Sequence, residues 1–147
     1  MSIDAYHQKY GKMLDPKEVS VTLPDGRVIT FETGRIAKQA RGAAVAKMGD
    51  AFVLSTVCYG EEKEGDFFPL TVDFMEKMYS VGRIPGGYLK REAKPSDKGT
   101  LTARMIDRPI RPGFPDGYKN EVHVVATTLV CDGQNPPDTI CVAGASA

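Results

Sequence analysis

Residues 95–131 read PSDKGTLTARMIDRPIRPGFPDGYKNEVHVVATTLVC, a helix start, a proline-rich turn and an apolar strand in succession. Ser96 suits an N-cap, with Asp97 in the first turn to complement the helix dipole. The helix is expected to run to about Asp107, because Pro109 disfavours helical geometry at Arg108. Pro112 and Pro115 reinforce the stop. Glu121–Cys131 then reads as a buried strand. Upstream, Phe67–Ser80 (FFPLTVDFMEKMYS) has strand character, with Leu70, Val72 and Phe74 on one face. Between them, Pro85-Gly86-Gly87 forbids regular structure and predicts a flexible loop.

Working outward, Val19, Val21 and Leu23 alternate with polar residues, and Pro24-Asp25-Gly26-Arg27 supplies turn chemistry before a β-rich Val28–Phe31. These predict a hairpin that Gly34 ends. The next stretch, residues 35–60, admits two readings. Its alanines suit a helix, but Gly42 interrupts it and Gly49-Asp50 marks a turn, which favours a second hairpin of Ala43–Met48 against Ala51–Tyr59. Glu61, Glu62, Glu64 and Asp66 read as a solvated acidic loop. At the far end, Pro136-Pro137-Asp138 precedes TICVAGASA, small and apolar like the first turns of a packed helix. No exit loop follows it, so the chain is expected to be a fragment. Residues 1–18 carry little pattern and are expected to form an arm.

The chain has 147 residues, 41% apolar and 26% charged, a globular balance. It contains no run of about 18 apolar residues, so no membrane span is expected. Cys58, Cys131 and Cys141 have no CxxC spacing and read as reduced cysteines of an intracellular protein. The 19 basic and 19 acidic residues cancel overall, yet not locally. From Lys77 to Arg111 nine basic residues face three acids (Glu92, Asp97 and Asp107), a local charge of +6 against −6 elsewhere. Such a cluster suits a polyanion, with phosphate or nucleic acid the leading class.

Two constellations lie within it. Arg104, Arg108 and Arg111 fall near one face if the chain stays helical past Asp107, and guanidinium forks match phosphate oxygens. The competing reading pairs these arginines with Asp73, Asp107 or Asp116 around a proline turn, and Asp107 is expected to tie that turn together. Tyr88, Leu89, Lys90 and Arg91 place an aromatic and two cations on the glycine-hinged loop, where a base can stack while the cations hold the backbone. An ordinary exposed basic loop is the alternative. His7 and His123 are isolated, Asp66 and Asp73 lack metal-pair spacing, and no phosphate-binding or nucleophile motif occurs. The residues themselves therefore indicate a phosphate-backbone binder with no visible catalytic group.

The blocks GRIPGG, KREAKPS, LTARMIDRPIRP and NEVHVVATTLV, in that order and spacing, resemble the first ribonuclease PH-like domain of the bacterial polynucleotide phosphorylase family. The likeness covers roughly residues 19–147. It implies an α/β (α+β) core in which helices pack a mixed β-sheet, incomplete at its C-terminus. It further implies 3′-to-5′ phosphorolysis of single-stranded RNA, with inorganic phosphate as co-substrate and Mg2+ or Mn2+ held by a second core absent from these residues. A cytoplasmic homotrimer with RNA degradosome partners and no membrane association follows from the same likeness. Tyr88, Lys90 and Arg91 then correspond to the family's channel-lining loop, and Arg104, Arg108 and Arg111 to its basic helix. Leu89 replaces an aromatic, so stacking there is in question. A stand-alone ribonuclease PH that trims transfer RNA, and a non-catalytic RNA-binding ring subunit, are the rival expectations.

Overall fold

A computed structural model describes residues 16–86, 92 and 94–147. Six strands form one sheet: β1 (Lys17–Thr22), β2 (Val28–Thr33), β3 (Gly42–Met48), β4 (Ala51–Glu62), β5 (Leu70–Glu76) and β6 (Asn120–Val130). Two helices, α1 (Asp97–Ile110) and α2 (Pro137–Ser146), complete the core. The sheet order is β1-β2-β3-β4-β6-β5. All pairs are antiparallel except β5 with β6, whose parallel register sets Leu70 beside Val122 and Phe74 beside Ala126. Parallel neighbours need a long crossover, and the basic segment with α1 is that crossover. The sheet is therefore mixed and helix-packed, as the family likeness implied.

Period-two patterning selects the buried face. Ala46 pairs with Val53 across β3 and β4, Phe74 pairs with Ala126 across β5 and β6, and Ile106 of α1 and Ile140 and Cys141 of α2 join them in one core. The helix α1 lies over β5, and α2 over β3, β4 and β6. Close approach of α2 requires Gly144, where a Cβ would come 3.0 Å from the Cβ of Ala46. On the opposite face Glu32, only 5% exposed, takes Lys47 Nζ at 2.6 Å and Arg35 Nη2 at 2.9 Å. Two cations compensate that buried carboxylate and hold the β2–β3 connection against the sheet.

Both expected hairpins form, and the helical alternative for residues 35–60 does not. Three expectations shift. The first strand begins at Lys17, ahead of the boundary drawn at residue 18, while residues 1–15 lie outside the described residues. Glu61 and Glu62 belong to the end of β4 rather than to a loop. Most consequentially, α1 does not stop at Asp107 but continues through Pro109 to Ile110. Proline removes only its own N–H from the ladder, and the turn is closed beyond it by Arg111 N–H donating to the Asp107 carbonyl. The Arg111 side chain also binds the Asp107 carboxylate, so one residue ties the turn twice.

Candidate nucleic-acid interface

Helix α1 begins as its sequence indicates: Ser96 Oγ accepts from Gly99 N–H at 3.0 Å, and Asp97 stands in the first turn. Gly99, Thr102 and Ile106 point inward. The spacing i, i+3, i+4, i+7 then puts Leu101, Arg104, Met105 and Arg108 on the outer face, and all four are exposed. Neither Arg104 nor Arg108 has a hydrogen-bond or ion-pair partner among the described residues. One turn apart, the two guanidinium groups have their donors available to successive anionic groups.

Arg111 is different. Its Nε and Nη2 donate to Asp107 at 3.2 and 2.8 Å, and Nη1 and Nη2 donate to the Phe68 and Leu70 carbonyls at 3.2 and 3.4 Å. Its guanidinium also lies 5.6 Å from the Phe68 ring centroid. Phe68, Phe114 and Tyr118 pack on one another with centroids 4.6–5.6 Å apart, which anchors the turn after α1 beside β5. The arginine row thus divides: Arg104 and Arg108 uncommitted, Arg111 engaged in holding the helix end. Of the three acids weighed as arginine partners, Asp107 alone takes that role here. Asp73 Oδ2 instead accepts from His123 Nε2 at 2.7 Å across β5 and β6.

The remaining cations of the segment frame the approach to α1. Arg83 and Lys94 are exposed, and Lys98 lies 3.5 Å from Asp138 and 4.0 Å from Glu76. Tyr88, Leu89, Lys90 and Arg91 lie outside the described residues. Glu92, which the charge count treats only as an opposing acid, has its carboxylate on a backbone donor: Met78 N–H reaches Oε1 at 2.5 Å. No sequence signal marks that contact, because it joins residues 14 apart.

A cavity of about 620 Å³ lies between Val19, Phe31, Ala44, Val57 and Gly144. It is mainly apolar, and no residue of the basic segment lines it. Among the described residues no three His, Cys, Asp or Glu side chains are grouped to hold a metal ion. None of their helices is long and apolar enough to cross a membrane. The geometry so far defines a helix face with two exposed arginines on a helix-packed mixed sheet.

Comparison with known proteins places that arrangement. The profile of the 3′ exoribonuclease family, domain 1, matches residues 25–147, and the chain belongs to this family. Polyribonucleotide nucleotidyltransferases are similar to it: that of Moorella thermoacetica is 56% identical over 124 residues, 83% of this chain and 17% of that protein. That of Koribacter versatilis is 50% identical over 135 residues, 90% of this chain and 17% of that protein. The chain therefore spans about a sixth of the length of these relatives. Among solved structures, an Archaeoglobus fulgidus exosome with RNA bound to the active site superposes with a TM-score of 0.56. That match has 20% identity and covers 90% of this chain and half of the other. An archaeal exosome core gives a TM-score of 0.53 at 18% identity, covering 90% of this chain and 46% of that one. At such identities the likeness is one of fold.

Proposed function

We propose that this chain supplies RNA-gripping surface to a phosphorolytic 3′-to-5′ exoribonuclease of the polyribonucleotide nucleotidyltransferase kind. The observation that carries the reading is the pair of exposed arginines, Arg104 and Arg108, without partners among the described residues, on the outer face of α1 in a member of this family. In that reaction an oxygen of inorganic phosphate attacks the phosphorus of the 3′-terminal phosphodiester. The bond from that phosphorus to the 3′ oxygen of the preceding nucleotide breaks. A nucleoside diphosphate leaves, and the RNA ends in a new 3′ hydroxyl. The reverse reaction polymerises diphosphates.

Arg104 and Arg108 hold backbone phosphates by forked, charge-assisted hydrogen bonds, while Tyr88, Lys90 and Arg91 contact the strand on the adjoining loop. Their contribution is to bind and align; charge developing on the transferred phosphoryl group is met elsewhere in the protein. Arg111 joins the row mainly through the helix end it secures. A divalent ion, Mg2+ or Mn2+, would neutralise phosphate charge during transfer. The described residues offer no ligand set for it, and we assign its binding to a second core. The working assembly is a cytoplasmic homotrimer able to join an RNA degradosome, and residues 1–147 alone are inactive.

The test is full-length protein incubated with poly(A) and inorganic phosphate. ADP release that depends on phosphate supports the reading, and hydrolysis to AMP refutes it. Lys90→Ala/Arg91→Ala is expected to weaken binding of long RNA and shorten processive runs, with a smaller effect on diphosphate polymerisation. Unchanged affinity across a salt titration would remove the loop from the binding surface.

A further inference from the structure

Within a segment selected for positive charge, Glu92 stands out as an acid next to the cations, and simple electrostatics makes it a liability for polyanion binding. Its surroundings indicate otherwise. The backbone of Met78, in the 3₁₀ turn Met78–Val81 after β5, is tied through both its carbonyl and its N–H. Its carbonyl accepts from Arg83 N–H at 3.0 Å, where the chain leaves the turn. Its N–H donates to Glu92 Oε1 at 2.5 Å, where the chain returns towards α1. Lys77 Nζ donates to the Glu92 carbonyl at 3.2 Å and reinforces the same return. The exposed cations Arg83 and Lys94 lie one at each of these two ties, Lys94 two residues past Glu92. Gly82, at φ +67°, allows the sharp exit that makes the arrangement possible.

We propose that Glu92 is a positioning residue: its carboxylate, fastened to the Met78 N–H, sets where Arg83, Lys94 and Lys77 are presented to an RNA backbone. A carboxylate accepting a backbone N–H is a charge-assisted bond, stronger than a neutral one and short, as found here. Fixing the return of the segment lowers the ordering cost that a polyanion must otherwise meet on binding. The gain in geometry outweighs one opposing charge that solvent screens. The inference rests on the reading of the basic segment as an RNA-binding surface.

Charge and reach can be separated by substitution in the full-length protein, with binding of a poly(A) oligonucleotide measured across a salt titration. Glu92→Gln removes the charge but keeps an acceptor at the same reach, whereas Glu92→Asp keeps the charge but falls one methylene short. Positioning requires Glu92→Asp and Glu92→Ala to weaken binding by about three- to tenfold, the scale of one such hydrogen bond. It also requires Glu92→Gln to bind at least as well as the parent. If charge alone governs, Glu92→Ala and Glu92→Gln both bind more tightly and Glu92→Asp is unchanged, and the proposal is overturned. Thermal melting of each variant guards against a general loss of fold, since rescue by Gln but not by Asp has no counterpart in global destabilisation. Arg83→Ala/Lys94→Ala in the same assay tests the underlying reading. If that pair leaves affinity unchanged, the RNA-binding surface itself is wrong; if it weakens binding while Glu92→Ala does not, only the role of Glu92 fails.

Discussion

Replacing Arg111 by alanine should destabilise the protein, whereas replacing Arg104 and Arg108 should weaken RNA binding at nearly constant stability. The magnitudes follow from the contacts. Arg111 and Asp107 are 42% and 28% exposed, so their ion pair contributes only about 0.5 kcal/mol after solvent screening. The two carbonyl bonds, at 3.2 and 3.4 Å, add about 0.5 kcal/mol each, and the Phe68 ring about 0.5 more. Loss of about 2 kcal/mol lowers the melting temperature of a domain this size by about 4–8 °C. Arg104 and Arg108 have no such contacts among the described residues, and their substitution should shift it by no more than about 1 °C. The salt dependence of RNA affinity supplies the complementary readout. Each lost phosphate contact lowers the slope of log K against log salt by about 0.7 for single strands, so Arg104→Ala/Arg108→Ala should lower it by about 1.4. Differential scanning fluorimetry and fluorescence anisotropy on the parent and the two variants are sufficient. An Arg111→Ala protein that melts with the parent, or an Arg104→Ala/Arg108→Ala protein with an unchanged salt slope, would falsify the division of the row.

Other outcomes can be checked independently. Glu32→Ala strands Lys47 on a sheet face where it is mostly covered, and should cost about 2–3 kcal/mol in urea denaturation; a midpoint equal to the parent's would show the ion cluster to be dispensable. Cys58 is exposed, while burial pushes the Cys141 thiol up, so a thiol reagent should label Cys58 in the native protein and Cys141 only on unfolding. Equal labelling rates would contradict the packing of α2. The Asp132 carboxyl is held down at about 2, chiefly by the Asn135 backbone N–H and side-chain amide, with the Gln134 N–H assisting. A lowered folded-state value gives stability that is present above the ordinary carboxylate value and is lost as pH falls from about 4 towards 2. The stability gap between the parent and Asp132→Ala should therefore be full at neutral pH and close over that interval. A gap independent of pH would assign the effect to packing.

Much of the architecture was legible in the residues because it is local. Alternation fixed the strands, Gly49-Asp50 fixed the β3–β4 turn, and Ser96-Asp97 fixed the start of α1. What escaped is non-local or depends on a side chain's reach. Nothing in Leu70–Glu76 says that its partner is β6 and parallel, since the pairing is settled by the crossover that α1 makes. Proline statistics ended α1 three residues early, because they count the lost N–H at Pro109 and cannot see Arg111 restoring the turn. The spacing of the three arginines was readable, but their division was not: it depends on the carbonyls of Phe68 and Leu70, some 40 residues upstream. Glu92 shows the converse error, in which a charge count recorded the sign of the residue and missed its geometry.

The sheet order has a consequence for biosynthesis. Strand β6 lies between β4 and β5 but is made after both, so β4 waits with one unpaired edge and β5 with two. At ribosomal rates of about 5–20 residues per second, the stretch separating the end of β4 from the end of β6 takes roughly 3–14 s to emerge. Throughout that interval β4 and β5 lack their common strand partner, and open strand edges of this kind invite association between nascent chains. Arrival of Val122, Val124 and Ala126 joins β5 to the rest of the sheet, which makes this penultimate strand of the order a keystone and a point at which slowed translation would endanger the fold.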